Sequence, residues 1–297
     1  MQRLPRILAV AASIAAAPPA AAADCHAAAP ESVDRFLTRD DVFRPLLADP
    51  KEPRFSASYQ RIRFRTGEVR SGRDTDTIHS GFVQAGQSIG LWSRRRGCDG
   101  VQIGLFAGVH SQFDLSIDSG DLINTDYLVG MPITWRAGPW SWRGRILHQS
   151  SHLGDEFLLR NRSVRVKNFG FEMVDALLSF EEGRWRAYGG GGAVFHSATD
   201  FDPLVFQAGL EVQSREPLSW RPWGLVPTPV AGVDFKTWQQ QDWGPTWNVV
   251  AGIELSRPND TVRVRLLANL LAGHFPYAQF FDETTVRSVG LGIHLEL

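Results

Sequence analysis

The sequence predicts an all-β fold, a transmembrane antiparallel β-barrel of about twelve strands led by a short N-terminal periplasmic segment. Three observations predict it. From about residue 54 onward the apolar residues recur with a period of two, as on strands with one apolar face, and not with a helical period. The alternate face is rich in Gly, Gln, Ser, His and Arg, and the only lysines are Lys51, Lys167 and Lys236. A soluble sandwich carries a heavily charged outer face, whereas small polar residues suit a crowded barrel interior and the apolar face suits lipid. Turn signals also alternate short and long, as when base turns are tight and the opposite loops extended.

The elements follow in chain order. Residues 1–23 read as an export signal, with Arg3 and Arg6 before an apolar run and Ala21-Ala22-Ala23 at the cleavage site. Asp24 before Cys25 is a poor lipid-attachment context. Residues 24–53 form the segment before the barrel, a periplasmic lead-in or a plug, with a short helix starting at Ser32 and Pro-punctuated coil after Phe43. The barrel itself spans 54–297. Its strands are expected near 54–65, 79–94, 101–117, 127–137, 141–156, 164–180, 185–197, 204–214, 223–236, 244–255, 261–280 and 285–297. Val101, Ile103, Leu105, Ala107 and Val109 alternating with Gln102, Gly104, Phe106, Gly108 and His110 give the clearest pattern. Trp92, Tyr127, Trp140, Trp142, Trp185 and Trp243 near strand ends fit interfacial girdles.

A net charge of -1 offers no basic surface for nucleic acid. The partners this composition implies are outer-membrane lipids, together with the periplasmic chaperone and barrel-assembly machinery that inserts such chains. Cys25 and Cys98 fall on the same side of the barrel, so a disulfide is allowed there, and two unpaired thiols are the alternative.

The residues with chemistry lie in His148-Gln149-Ser150-Ser151-His152-Leu153-Gly154-Asp155-Glu156. Positions i and i+2 of a strand share a face, which places His148 beside Ser150 as base and nucleophile. Parity assigns Arg143, Arg145, Leu147, Gln149 and Ser151 to the lumen and Ile146, His148 and Ser150 to the lipid side. Polar groups facing lipid are costly and call for a reason. The competing readings are a strand that has already left the membrane at His148, and a metal site built from His148, His152, Asp155 and Glu156. Asn161 or Asn168 would orient the imidazole, with Asn161 preferred. Asp155, Glu156 and His152 are the candidate ligands for a cation such as calcium. Arg61, Arg63, Arg65, Arg143, Arg145, Arg263 and Arg265 are read as lumenal, lining an anion-preferring pore or pairing internally with Glu211, Glu254, Asp114 and Glu296.

Phe43-Arg-Pro-Leu-Leu-Ala-Asp-Pro-Lys-Glu-Pro-Arg-Phe-Ser-Ala, followed by the His148–Glu156 stretch, resembles a family of Gram-negative envelope proteins known as domain of unknown function 1207, over roughly residues 40–297. That resemblance implies an envelope setting and no activity. His148-Gln149-Ser150 is also similar to the His-Gln-Ser stretch of outer membrane phospholipase A, itself a barrel. In that enzyme Asn-Gly follows, and then an Asn on the next strand. Here Ser151-His152 stands in place of Asn-Gly, and Arg160-Asn161-Arg162 offers the later Asn. Lipid A deacylases share the His-any-Ser arrangement. The resemblance implies hydrolysis of a lipid ester by Ser150, His148 and Asn161. A narrow pore for small anionic solutes and a non-catalytic envelope protein are the alternatives.

Overall fold

Tight turns organise the chain into hairpins. At Gly97-Cys98, Gly138-Pro139 and Gly183-Arg184 the first loop residue is a glycine at φ 62°, 56° and 62°. A two-residue hairpin whose twist matches its strands demands that conformation. A computed structural model describes residues 31–66, 77–118, 120–161, 166–257, 262–282 and 284–296. Residues 1–23, read as an export signal, and Cys25 lie outside the described residues. Cys98 is disulfide-bonded.

The barrel strands are β2 Phe55–Thr66, β3 Thr77–Arg96, β4 Asp99–Asp114, β5 Asp121–Ala137, β6 Trp140–Leu153, β7 Phe169–Glu182, β8 Trp185–Ser197, β9 Leu204–Gln213, β10 Val226–Trp238, β11 Pro245–Ser256, β12 Arg263–His274 and β13 Thr285–Glu296. Each pairs antiparallel with its sequence neighbours, and β13 pairs with β2, so the twelve-stranded sheet closes. A further strand, β1 Val33–Thr38, pairs antiparallel with the part of β3 that extends beyond β2. The helix expected to start at Ser32 is therefore a strand, because the free edge of β3 supplies hydrogen bonds that a short isolated helix lacks. We call the end holding the start of β2 and the finish of β13 the base, and the opposite end the rim.

The alternation sorts the two faces as expected. On β4, Gln102, Phe106, His110 and Gln112 are buried in the lumen, while Val101, Ile103 and Leu105 are exposed on the wall. Trp135, Trp140, Trp142 and Trp185 ring the outer wall near the base. Tyr127, Trp243 and Trp247 lie on it toward the rim.

Two segments fill the lumen. Between β1 and β2 the chain turns inward, burying Val42, Phe43, Leu46, Leu47, Ala48, Asp49 and Glu52. At the rim, the strand expected to reach residue 280 ends at His274, and the following loop folds over the opening. It buries Phe275, Tyr277, Phe280 and Phe281.

The plug is held by charge as well as packing. Glu211 Oε1 accepts a 2.6 Å bond from the Leu47 amide, and Arg186 donates to Glu211 (3.2 Å) and to the Arg44 and Pro45 carbonyls. Lys236 pairs with Asp49 at 3.1 Å, and Arg143 with Glu52 at 2.6 Å. Arg145 pairs with Asp175, while Arg263 and Arg265 pair with Glu254 and Glu296. The lumenal arginines are therefore internally paired. Arg61, Arg63 and Arg65 were expected in the lumen as well, but they are exposed on the outer wall. On β2 it is Ile62 and Phe64 that point inward, joining the apolar cluster under the rim loop.

Candidate active site on the barrel wall

Strand parity carries through to the site. Leu147, Gln149 and Ser151 are buried in the lumen, so His148 and Ser150 share the wall face with exposed Ile146. The position along the strand follows from the rise. From Trp142, in the base girdle, to Ser150 is eight residues, about 26 Å of strand. At a barrel tilt of about 40° that becomes a height of about 20 Å, near the far edge of an apolar band about 25 Å tall. Tyr127, directly opposite Ser150 on β5 and exposed, marks an interfacial level. His148 and Ser150 therefore lie where the apolar wall meets the headgroup level.

The neighbouring strand β7 completes the site. His148 lies directly opposite Glu172, and Ser150 opposite Gly170. His148 Nδ1 is 2.8 Å from Glu172 Oε1, and the other carboxylate oxygen, Oε2, is 2.5 Å from His196 Nδ1. With Nδ1–H donated to Glu172, His148 keeps Nε2 as the acceptor, which a general base requires. The second contact arises from a β-bulge. The register of β7 on β8 slips between Glu172 and Met173, so Glu172 faces His196 while Met173 faces Val194. Phe195 and His196 are consequently both exposed on the wall, and His196 is turned onto the carboxylate.

Gly170 leaves a recess over the serine. A side-chain carbon built there would lie 4.0 Å from both His148 Cε1 and Ser150 Cβ, in van der Waals contact with the pair. The wall around the recess is apolar, with Val129, Met131, Ile146, Val174 and Phe195 exposed.

The remaining candidate residues lie elsewhere. After β6 the chain forms a one-and-a-half-turn helix, α1 Asp155–Arg160, instead of a hairpin turn. Asn161 ends that helix, buried, with its Nδ2 donating to the Phe157 carbonyl at 2.8 Å. It does not meet His148; Glu172 holds the place expected of it. Asn168 lies in the exposed approach to β7. Asp155 and Glu156 occupy the first turn of α1, and His152 stacks edge-on against Tyr127. Among the described residues no group of three or more His, Cys, Asp or Glu side chains is placed to hold a metal ion. Ser151, next to the candidate nucleophile, is buried and donates to Asp126 at 2.5 Å.

Glu172 and His196 escaped the sequence reading. Their signal was a lone acid between Gly170 and Val174 on a lipid-facing strand. Reading it required the register across the intervening loop, and the bulge on β8 has no sequence mark of its own.

Comparison with known proteins places the chain. Residues 12–297 match the family described as "Protein of unknown function (DUF1207)". No curated protein matches the sequence. Among solved structures, outer membrane phospholipase A from Escherichia coli superposes with a TM-score of 0.55 at 14% identity, covering 85% of this chain and 93% of that one. The calcium-bound dimer of the outer membrane phospholipase from Salmonella typhi gives the same TM-score, identity and coverage. At that identity the likeness is one of fold.

Proposed function

The chain belongs to the family described as Protein of unknown function (DUF1207), and we propose that it is an outer-membrane barrel that hydrolyses an ester of a membrane lipid at the outer leaflet. The observation that carries this reading is the 2.8 Å contact of His148 with Glu172 on the lipid-facing wall, with Ser150 on the same face. Structural pairing alone has no need to put a histidine and a carboxylate outward beside a serine, at the edge of an otherwise apolar wall. The fold shared with outer membrane phospholipase A supports the reading.

The groups divide the chemistry in the usual way of a serine esterase. Ser150 Oγ attacks the acyl carbonyl carbon while His148 Nε2 takes its proton. The tetrahedral intermediate collapses with loss of the lipid alcohol, which receives that proton from His148. Water, deprotonated by His148, then releases the fatty acid from Ser150. Glu172 holds the imidazole in the productive tautomer, and the recess at Gly170 admits the ester. The acyl chain would lie along Ile146, Val129 and Met131, so the enzyme would need no aqueous channel for its substrate.

The test is fatty-acid release from phospholipid mixed micelles, with and without added calcium. Wild type and Ser151→Ala are expected to be active, with Ser150→Ala reduced by about a thousandfold or more. Equal activity in both serine variants, or no release by the wild type in either condition, would refute the hydrolase.

A further inference from the structure

Away from the candidate active site, the outer wall carries a basic patch that neither the hydrolase nor the internal ion pairs use. On β2, Arg61, Arg63 and Arg65 point outward at successive alternate positions, about 7 Å apart. On β13, Arg287 points outward directly opposite Arg63. Like charges directly opposite on a sheet destabilise it, and none of these four arginines pairs with a carboxylate among the described residues. Among the described residues the flanking outward positions supply no acid either. They are Thr77 and His79 on β3, opposite Arg63 and Arg61, and Leu270 and Ala272 on β12. His79 stacks on Tyr59 beside the patch and bonds to its hydroxyl.

The patch lies at the rim end of a wall that is otherwise apolar. Below Arg287 on β13, Val289, Leu291 and Ile293 are 52%, 68% and 54% exposed, and Leu266 and Leu270 are exposed on the adjoining strand. Four positive charges at the top of such a strip match a molecule with an anionic head and apolar tails. We propose that Arg61, Arg63, Arg65 and Arg287 form a binding site for a lipid bearing a phosphomonoester headgroup, its acyl chains lying along Val289, Leu291 and Ile293.

The phosphomonoester is chosen on chemistry. Arg63 and Arg287 present two planar guanidinium forks across one ladder step, and each can take two phosphate oxygens. A phosphomonoester offers three terminal oxygens and a charge near -2, enough to satisfy both forks. A phosphodiester offers two and a single charge. Neutralising Arg63 and Arg287 also relieves the repulsion between them, so binding at this pair gains more than at an isolated arginine.

The site rests on the membrane setting proposed above and is independent of hydrolysis. Its test is native mass spectrometry of the detergent-solubilised full chain, with dioleoyl phosphatidic acid as probe and with phosphatidylglycerol, phosphatidylcholine and inorganic phosphate as separate arms. The expected result is retention of phosphatidic acid in preference to the other two lipids, with no retention of inorganic phosphate. Arg63→Gln/Arg287→Gln should lower the bound fraction about tenfold at equal lipid. The control Arg184→Gln/Arg215→Gln, which loses the same charge at the base, should retain the lipid. A heat-modifiability gel verifies folding, and Arg61→Gln/Arg65→Gln serves as the second variant should the first not fold. Equal retention of phosphatidylglycerol, undiminished binding in the patch variants, an equal loss in the control, or binding of inorganic phosphate alone would each overturn the site. Ser150→Ala is expected to keep the lipid bound, which separates this result from the fate of the hydrolase.

Discussion

Glu172 is the residue on which the proposed chemistry turns. Its two oxygens are divided between His148 and His196, so replacing it removes the orienting group without touching the nucleophile. Glu172→Gln is expected to lower the rate of ester hydrolysis by about ten- to a hundredfold, with apparent substrate affinity unchanged, since removing an orienting group costs turnover more than binding. Asn161→Ala should leave the rate unchanged, because the Asn161 amide is spent on the Phe157 carbonyl. The reverse pattern in micelle assays would return the third role to Asn161. Gly170 tests access. Gly170→Val adds carbon over Ser150 where only van der Waals contact awaits it. The barrel should therefore fold normally, by heat-modifiability, while lipid-ester hydrolysis falls at least tenfold. A short soluble ester should suffer less than a long-chain lipid, because it needs less of the recess. Of this site, His148 and Ser150 were legible in the sequence, since two residues on one strand need only parity to share a face. Glu172 was not, because its place depends on pairing across a loop that contains a helix.

At the scale of elements, period-two alternation placed most barrel strand ends within about three residues, but it put the start of β5 six residues late and that of β7 five residues early, and it failed where a different interaction decided. The segment 33–38 became a strand because β3 outruns β2. Residues 275–282 left the β12 strand to close the rim with aromatic side chains. The plug shows the same limit. Its sequence was readable as coil, but the partners that draw it inward sit on strands far away in sequence, such as Glu211 for the Leu47 amide. Glu211→Ala would leave Arg186, whose side chain is fully buried, without its nearest carboxylate. Breaking a buried pair on one side costs about 3–5 kcal/mol, so the variant should unfold at a lower temperature on a heat-modifiability series, and an unchanged midpoint would mean that the plug hangs on other contacts. Plug docking should also depend on pH. Burial, and next the nearby Glu52 carboxylate, push the Asp41 acid up to about 7. Because the docked state then holds the proton more tightly than the free chain, this contribution is largest below about pH 4. It declines as pH rises toward 7 and is constant above. Hydrogen exchange of residues 41–49, corrected for intrinsic rates, should accordingly show more protection at pH 5.5 than at pH 8. Asp41→Asn should abolish that difference.

For the whole molecule, the question that composition left open was whether seven arginines line a pore. Their distribution answers it by dividing them. Arg143, Arg145, Arg263 and Arg265 are inside and matched by Glu52, Asp175, Glu254 and Glu296. Arg61, Arg63 and Arg65 are outside and face the lipid level. Counting charges on strands cannot make that division, because an arginine run on alternate positions fits either face. On β2 the interleaved Ile62 and Phe64 go inward, where the aromatic rim loop gives them a packed surface. The interior so formed is closed twice, by the plug toward the base and by Phe275, Tyr277, Phe280 and Phe281 toward the rim. A twelve-stranded barrel has little lumen to spare, and an ion crossing this one would have to displace buried groups that are already paired. The purified full chain is therefore expected to insert into a planar bilayer without producing single-channel steps in either chloride or potassium salts. Glu211→Ala should behave differently if the plug controls the path, giving intermittent openings that favour anions once Arg186 loses its partner. Steady conductance by the unaltered protein would contradict the closed interior and restore the pore as its function.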